Sequence, residues 1–193
     1  MLIRLSVCCA AVLLALGLAS VARAGDTICF EAAATTNVVA PMKIVKATPG
    51  SPDEKVLREA CNQRALDIPE GVGKPPDVGG EAVFRFNVKE SGSYWLWARV
   101  WWDDGCGNSF TVVLDNKKPY AFGDDATYKS WHWVKGLKDP LTPGVHVLRI
   151  QNREDGIKVD QILFTQDGQY VPVGVEDVTP GALVDEGAAA AKP

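Results

Sequence analysis

The chain has 193 residues, a formal net charge of −4 at pH 7 and 47% hydrophobic residues. This length suits a single domain, and six Trp, four Tyr and six Phe supply the apolar surface of a core, which argues against a disordered chain. The acidic balance, without any block of Lys or Arg, argues against nucleic acid and against an anionic membrane surface as partners.

Residues 1–24 have the pattern of a secretory signal peptide. Arg4 precedes an apolar run at residues 7–18, and an A-x-A sequence at residues 22–24 predicts cleavage before residue 25. The run is shorter than the roughly 20 residues that a membrane-spanning helix needs. A lipoprotein signal is the alternative, but Cys8 lies before the apolar run and not at its end. We therefore expect a secreted, periplasmic or cell-surface protein without a transmembrane segment.

Export determines how the cysteines are interpreted. Cleavage leaves Cys29, Cys61 and Cys106, an odd number that allows one disulfide and one remaining thiol. Cys29 lies in a β-like run, where a free cysteine is commonly buried, whereas Cys61 and Cys106 flank turn-like segments. We therefore expect a Cys61–Cys106 disulfide, while the sequence leaves pairing of either with Cys29 open. No cysteine or histidine spacing indicates zinc or haem.

The body of the chain alternates short β-like segments with turns. Residues 80–89 place Phe84, Phe86 and Val88 on one face and polar side chains on the other, a period of two that is typical of a half-buried strand. Further segments of this kind, separated by Gly-, Asp- and Asn-rich turns, predict an antiparallel β-sandwich. They are residues 93–102, 109–115, 131–136, 144–151 and 156–164.

The remaining segments set the predicted domain boundaries. Residues 52–60 are the one helix-like stretch, and residues 69–80, rich in Pro and Gly, predict an irregular connection. We expect a single all-β domain over residues 25–176. Residues 177–193, which end in Ala, Lys and Pro, predict a flexible C-terminal tail.

Three parts of the sequence resemble carbohydrate-binding modules of the family 6/35 type. Residues 28–33, with the run Glu-Ala-Ala, resemble the opening strand of that family. Residues 92–100 resemble its central strand, and residues 144–164 resemble its last two strands. The resemblance runs in order over about residues 26–172. It implies a jelly-roll sandwich of the galactose-binding-like type that binds sugars without transforming them.

The same resemblance implies a structural calcium ion, bound by acids of the first and last strands. Glu31 and Asp160 lie at the matching positions, and the family's second first-strand acid is Ala33 here. Ca²⁺ takes six to eight oxygen ligands, so two carboxylates would need backbone carbonyls and water in addition. The alternative is that Glu31 and Asp160 pair with a base or with hydroxyl groups at the end of a strand.

Sugar binding requires exposed aromatic rings together with fixed polar groups. Three loops have that composition: residues 101–104 together with residue 108, residues 124–131, and residues 152–155. The resemblance implies that loops at one end or on one face of the sandwich supply the ligand contacts. The candidate carbohydrate-binding residues are Trp102, Asn108, Tyr128, Trp131, Asn152 and Asp155.

Each of these assignments has a structural alternative. Trp102 and Trp131 could cap the sandwich, and Asn152 could bond the backbone of its own turn. The other tryptophans of the predicted strands are expected in the core: Trp95, Trp97 and Trp133.

No feature of the sequence indicates catalysis. His132 and His146 lie within predicted strands and have no nucleophile motif nearby. Adjacent acids in turns, such as Asp103 and Asp104, could perform glycoside chemistry but are more typical of solvated turns. We therefore expect a secreted, non-catalytic module that binds polysaccharide or glycan. The alternative is a structural or adhesive protein of the cell envelope that uses the same sandwich for protein–protein contact.

The two interpretations predict different surfaces. A glycan binder should place at least two of Trp102, Tyr128 and Trp131 around one solvent-exposed concavity. A structural subunit should show a broad apolar surface or an unpaired edge strand.

Overall fold

The computed structural model describes residues 25–72 and 79–184, and the predicted signal peptide lies outside them. Eleven β-strands and one short α-helix make up its regular structure, apart from two single-turn 3₁₀ helices at Ala32–Ala34 and Cys61–Gln63. The elements in chain order are β1 (Thr27–Glu31), β2 (Asn37–Val39), β3 (Lys43–Lys46), α1 (Glu54–Arg58), β4 (Arg64–Ile68), β5 (Glu81–Val88), β6 (Gly92–Trp102), β7 (Ser109–Leu114), β8 (Tyr120–Gly123), β9 (His132–Leu141), β10 (Gly144–Gln151) and β11 (Ile157–Thr165).

The strands form two antiparallel sheets, so the predicted all-β sandwich is confirmed. Sheet A has the order β3-β4-β11-β6-β9, and β1 pairs with β11 beyond the end of β4. Sheet B has the order β2-β5-β10-β7-β8. The first and last strands are direct neighbours, with Phe30 opposite Ile162. This pairing brings the two ends of the domain together, as the resemblance predicts.

The core lies between the sheets, and strand alternation builds it. In β5, Ala82, Phe84, Phe86 and Val88 are buried while the residues between them are half-buried. Phe86 of sheet B stacks on Phe164 of sheet A at 4.5 Å between ring centroids. Burial of such rings stabilises the fold by about 1.5–3 kcal/mol per side chain.

Strand β11 differs from the other strands because all nine of its residues are buried. Its inner face contacts the core, and two other segments cover its outer face. One is the α1 region, and the other is residues 166–184, called the C-terminal strap below. Both faces of a central strand are therefore closed to solvent near the middle of sheet A.

The C-terminal strap corrects the prediction of a flexible tail from residue 177. Thr179 N–H donates to the Cys29 carbonyl oxygen at 2.9 Å, which attaches the strap to sheet A. Asn87 N–H then donates to the Ala182 carbonyl oxygen at 2.8 Å, which attaches it to sheet B. Ala182 is only 4% exposed. Residues 177–184 are therefore part of the domain, and the rest of the predicted tail lies outside the described residues.

Two other predictions are refined. The helix-like stretch at residues 52–60 contains α1, which is only five residues long, and β9 extends to Leu141, beyond the predicted 131–136. Within the described residues, no helix has the length and apolar character needed to cross a membrane.

Candidate functional site

The three loops predicted to bear ligand contacts meet at one end of the sandwich. They follow the ends of β6, β8 and β10, and we call residues 103–108, 124–130 and 152–155 the loop rim. The approach is close enough that a Cβ at Gly107 would collide with the carbonyl oxygen of Asp155. Glycine is therefore required at this contact between the first and third loops.

Side-chain hydrogen bonds join the first and second loops. Asn108 Nδ2 donates to Asp124 Oδ1 at 3.3 Å and lies 3.5 Å from the Tyr128 hydroxyl oxygen. Asn108 itself is only 5% exposed. Its amide is thus buried beneath Asp124 and Tyr128, where it holds these residues in place and has little surface to offer a ligand.

The third loop is joined to the start of β7 by a small polar network. Glu154 Oε2 accepts from the Asn108 backbone N–H at 3.2 Å and from the Ser109 hydroxyl at 2.5 Å. The Arg153 guanidinium in turn donates to Ser109 Oγ and to Glu154 Oε1. The rim is therefore tied together across its loops, and a ligand would meet a largely preformed surface.

Tyr128 supplies the exposed aromatic ring of the rim. It is 39% exposed, and the rim residues Asp104, Asp124 and Arg153 near it are exposed as well. Carboxylates accept hydrogen bonds and a guanidinium donates them, so this set can pair with hydroxyl groups of either role. The arrangement combines one apolar ring with charged hydrogen-bonding groups.

Asp155 is half-buried, and its carboxylate holds a neighbouring segment against the rim. Its Oδ2 accepts from the Gly71 N–H at 2.8 Å, which fastens the connection after β4 to the third loop. Glu70 lies close by, and the charge of Asp155 is the main cause that raises the pKa of the Glu70 carboxyl. The Asp155 carboxylate therefore bonds the backbone of the connection after β4. Glu70 is a second acid beside the rim, and it was not among the residues predicted from the sequence.

The prediction that Trp102 contacts a ligand is wrong. Trp102 is fully buried, because its position in β6 directs it between the sheets. It packs against Phe110 at 6.0 Å between ring centroids, and its Nε1 donates to Asp125 Oδ1 at 3.1 Å. The indole supports the second loop from below, which is the capping alternative.

The prediction that Asn152 contacts a ligand is also wrong, because this residue is buried too. Asn152 is 2% exposed, and its backbone N–H donates to the Gly80 carbonyl oxygen at 3.0 Å. A side chain with so little exposed surface cannot contact a polysaccharide.

Trp131 lies apart from the rim, on the outer face of sheet A. Its Nε1 donates to the Val56 carbonyl oxygen in α1 at 2.8 Å, and its ring makes an edge contact with Trp101 at 6.0 Å. The Arg99 guanidinium lies 5.2 Å from the centre of the ring. Of the three aromatic residues expected around one concavity, Tyr128 alone lies at the rim with its ring exposed.

The donor set at Glu31 and Asp160 does not fit a calcium ion. Asp160 lies at a β-bulge of β11 and is fully buried, and Arg99 donates to its Oδ2 at 2.5 Å while the Cys61 N–H donates to its Oδ1 at 2.8 Å. Glu31 accepts from the Asn62 amide at 2.5 Å. In the described residues no group of three or more His, Cys, Asp or Glu side chains could hold a metal ion. Asp160 instead pairs with a base.

The sequence places Arg99 in the central strand motif, but it was not predicted to be the base that pairs with Asp160. A charged residue in the middle of an aromatic strand is rarely buried without a partner. Arg99 is 7% exposed, and its partner Asp160 comes from the neighbouring strand. A second buried pair lies beside it, with Lys158 Nζ 3.3 Å from Asp67 and 3.4 Å from Asp53.

The predicted Cys61–Cys106 disulfide is wrong, since all three described cysteines are free. Cys61 is bonded through its backbone to Asp160, whereas Cys106 lies in the loop that contacts Asp155.

An aromatic cluster on the outer face of sheet A also differs from the prediction. Trp97 was expected in the core and is buried, but in a second cluster with Cys29 and Leu163 beneath the C-terminal strap. Trp95 and Trp133, also expected in the core, are only partly buried against this cluster. Lys135 Nζ lies 4.2 Å from the centre of the Trp95 ring. The strap covers this cluster partly through the Trp133 Nε1 bond to the Gly174 carbonyl oxygen at 2.9 Å.

The sequence matches no protein-family model and no curated protein. Solved structures share its fold. A family 35 carbohydrate-binding module from Clostridium thermocellum superposes with a TM-score of 0.51 at 14% identity, covering 72% of this chain and 97% of that one. The GH26-CBM35 β-(1,4)-mannanase of Podospora anserina gives a TM-score of 0.55 at 18% identity, over 78% of this chain and 29% of that one.

An isomalto-dextranase of Arthrobacter globiformis T6 complexed with panose gives a TM-score of 0.52 at 18% identity, over 72% of this chain and 23% of that one. The chain thus spans less than a third of these two enzymes. Identities of this size establish architecture alone. The chain therefore has the β-sandwich fold of family 6/35-type carbohydrate-binding modules, as its terminal and central strand motifs predict.

Proposed function

We propose that this chain is a secreted, non-catalytic carbohydrate-binding module whose loop rim binds polysaccharide or glycan. The observation that carries the proposal is the exposed Tyr128 ring, held by Asn108 beside the exposed groups of Asp104, Asp124 and Arg153. A sugar ring has an apolar C–H face that can lie on the tyrosine, and its hydroxyl groups can pair with the charged neighbours.

The fold supports the same proposal. The family 35 carbohydrate-binding module of Clostridium thermocellum is matched over 97% of its own length. The loops that meet at the rim are tied to one another by side-chain and backbone hydrogen bonds. A ligand would therefore cause little ordering, which favours binding because less conformational entropy is lost.

A polysaccharide and glycan-array screen of the secreted chain tests the proposal. We expect retention on at least one polysaccharide, and a Tyr128→Ala variant should bind it about tenfold more weakly, a loss of about 1.4 kcal/mol. Leu137→Ala is the matched control, because Leu137 is 54% exposed and lies in β9 away from the rim. Absence of retention on every polysaccharide, or equal weakening by both variants, would contradict the proposal.

A second candidate function, protein–protein contact, is favoured by one observation. Val171, Val173 and Val175 of the C-terminal strap are 67%, 79% and 48% exposed. Alternating exposed valines form an apolar surface of the kind that mediates association. Sedimentation velocity at increasing concentration tests this candidate: self-association that Val173→Asp abolishes would support it, and a monomer at all concentrations would contradict self-assembly.

A further inference from the structure

The surroundings of Asp160 include a cation that belongs to the chain itself. Asp160 is fully buried and Arg99 is 7% exposed, and 2.5 Å separates Arg99 Nη1 from Asp160 Oδ2. An ionised carboxylate at such a depth is strongly destabilising without a partner. Burial raises the pKa of the Asp160 carboxyl, and the bonds from Arg99 and from the Cys61 N–H oppose that rise. The charge of Asp160 thus depends on the guanidinium.

The other contacts of Arg99 are those that suit a guanidinium and not a metal ion. Its Nη1 also donates to the Glu59 carbonyl oxygen at 3.2 Å. Its planar group lies over the Trp131 ring, 5.2 Å from the ring centre. An indole face attracts a guanidinium by cation–π interaction but supplies no oxygen ligand for Ca²⁺. The pocket is therefore complementary to arginine on three sides.

Three of the four carboxylate oxygens of Glu31 and Asp160 already accept hydrogen bonds. Both carboxylate oxygens of Asp160 accept hydrogen bonds, and Glu31 accepts from Asn62. Ala33 stands where the resemblance implies a further acid, and it is 1% exposed, so no water-filled space surrounds its side chain. A calcium ion bound to Asp160 Oδ2 would have to displace the Arg99 guanidinium from its hydrogen bond.

We propose that Arg99 is the permanent internal cation next to Asp160 and that no calcium ion binds there, so that the stability of this sandwich is independent of divalent cations. Arg99 connects three parts of the fold in doing so: β11 through Asp160, the end of the α1 region through Glu59, and the start of β9 through Trp131. The proposal concerns stability and is independent of which ligand the rim binds.

Thermal unfolding of the wild-type chain with excess CaCl₂ and with a chelator gives the first test. We expect melting temperatures that agree within about 1 °C. A specific calcium site filled at 100 times its dissociation constant would raise the unfolding free energy by about 2.7 kcal/mol, which for a chain of this size corresponds to at least 5 °C. A calcium-dependent rise of that size would overturn the proposal.

A double-mutant cycle between Arg99 and Asp160 gives the second test. Arg99→Met keeps much of the side-chain volume and leaves Asp160 buried without a cation, so the melting temperature should fall by about 10 °C. Adding Asp160→Asn removes the buried charge and should restore part of that loss. Additive losses from the two single variants would show that the groups are not coupled, which contradicts the proposal.

Arg58→Met is the matched control for the cycle. Arg58 also bonds a carboxylate, Glu54 Oε1 at 2.6 Å, but its side chain is 54% exposed. An exposed ion pair of this kind contributes little to the unfolding free energy, so the control should melt within about 2 °C of the wild type. A control loss equal to that of Arg99→Met would also contradict the proposal. If the Arg99→Met variant does not fold, the calcium measurement on the wild type still decides the question.

Discussion

At the scale of single residues, neighbours and not residue type decide which aromatic rings are available to a ligand. Trp102, Tyr128 and Trp131 lie within 29 positions of one another, yet Trp102 is in the core, Trp131 lies against Arg99 and Tyr128 is exposed. The difference arises from strand alternation and from the hydrogen bonds of the two indole nitrogens to Asp125 and Val56.

Alanine substitutions at these three positions should therefore rank by burial. We expect Trp102→Ala to lower the unfolding free energy by about 3–5 kcal/mol and Trp131→Ala by about 2 kcal/mol. Tyr128→Ala should lower it least, by about 0.5–1 kcal/mol, because Tyr128 is 39% exposed. Urea denaturation of the three variants measures this order. A Trp131→Ala variant as stable as the wild type would return Trp131 to the list of ligand-contact candidates.

The three cysteines should differ in reactivity because their burial differs. Cys106 is exposed, Cys61 is partly buried and Cys29 is 2% exposed. Burial raises the pKa of Cys61 to about 11 and that of Cys29 to about 12, so neither is a thiolate at neutral pH. Labelling the native chain with a thiol reagent, followed by peptide mass spectrometry, should modify Cys106 first and Cys29 last. If Cys61 and Cys106 reacted with the reagent only after reduction, the predicted disulfide between them would be correct after all.

At the scale of elements, the C-terminal strap has a buried end and an exposed middle. Ala182 is 4% exposed and belongs to the core cluster, and the strap backbone bonds to both sheets on either side of it. Val173 is 79% exposed. The strap thus closes one side of the sandwich with a few residues near its end.

Introducing the same charge at the two positions tests this division. Ala182→Asp places a carboxylate in the core and should lower the melting temperature by about 10 °C, since a buried unpaired charge costs several kcal/mol. Val173→Asp should change it by no more than about 2 °C. Differential scanning fluorimetry on both variants is sufficient. If neither variant changed the melting temperature, residues 177–184 would not pack as described and the flexible-tail prediction would be correct.

Elements could be predicted from the sequence where alternation is regular. Residues 80–89 and 144–151 correspond closely to β5 and β10, because each strand buries one face only. The short strands β2, β3, β4 and β8 were not predicted, since three to five residues give too little alternation to recognise. Residues 177–184 of the strap were predicted as a tail because they show no strand alternation, and backbone hydrogen bonds to both sheets together with burial of Ala182 hold them in place.

At the scale of the whole molecule, the pairing of β1 with β11 could be predicted, whereas the chemistry on the outer face of sheet A could not. The motif similarity places the two strands, but it does not reveal that Arg99 of a third strand reaches Asp160. The same limit applies to the loop rim. The sequence identifies the three loops, but which of their side chains face solvent depends on contacts between loops distant in the chain.

The buried thiol of Cys29 should make the unfolding free energy of the whole domain decrease at alkaline pH. Its pKa is raised from 9.0 to about 12, first by burial and then by the nearby charge of Glu176. The folded chain therefore keeps a proton that the unfolded chain releases above pH 9. For a pKa that is raised on folding, the stabilisation is complete below the unfolded value and is lost as pH rises toward the folded value.

We therefore expect the unfolding free energy to fall between about pH 9 and pH 12, with Cys29 contributing about 1.4 kcal/mol per pH unit inside that window. Cys29→Ala should have a shallower dependence by this amount, because no thiolate forms in its unfolded state at position 29. Ile28→Val, a change at a neighbouring buried residue without a titrating group, should shift the curve downward and leave its slope unchanged. Urea denaturation of the three proteins at intervals from pH 8 to pH 11 measures the slopes. Equal slopes for the wild type and Cys29→Ala would mean that the thiol ionises as readily in the folded chain as in the unfolded one, and hence that Cys29 is accessible to water beneath the strap.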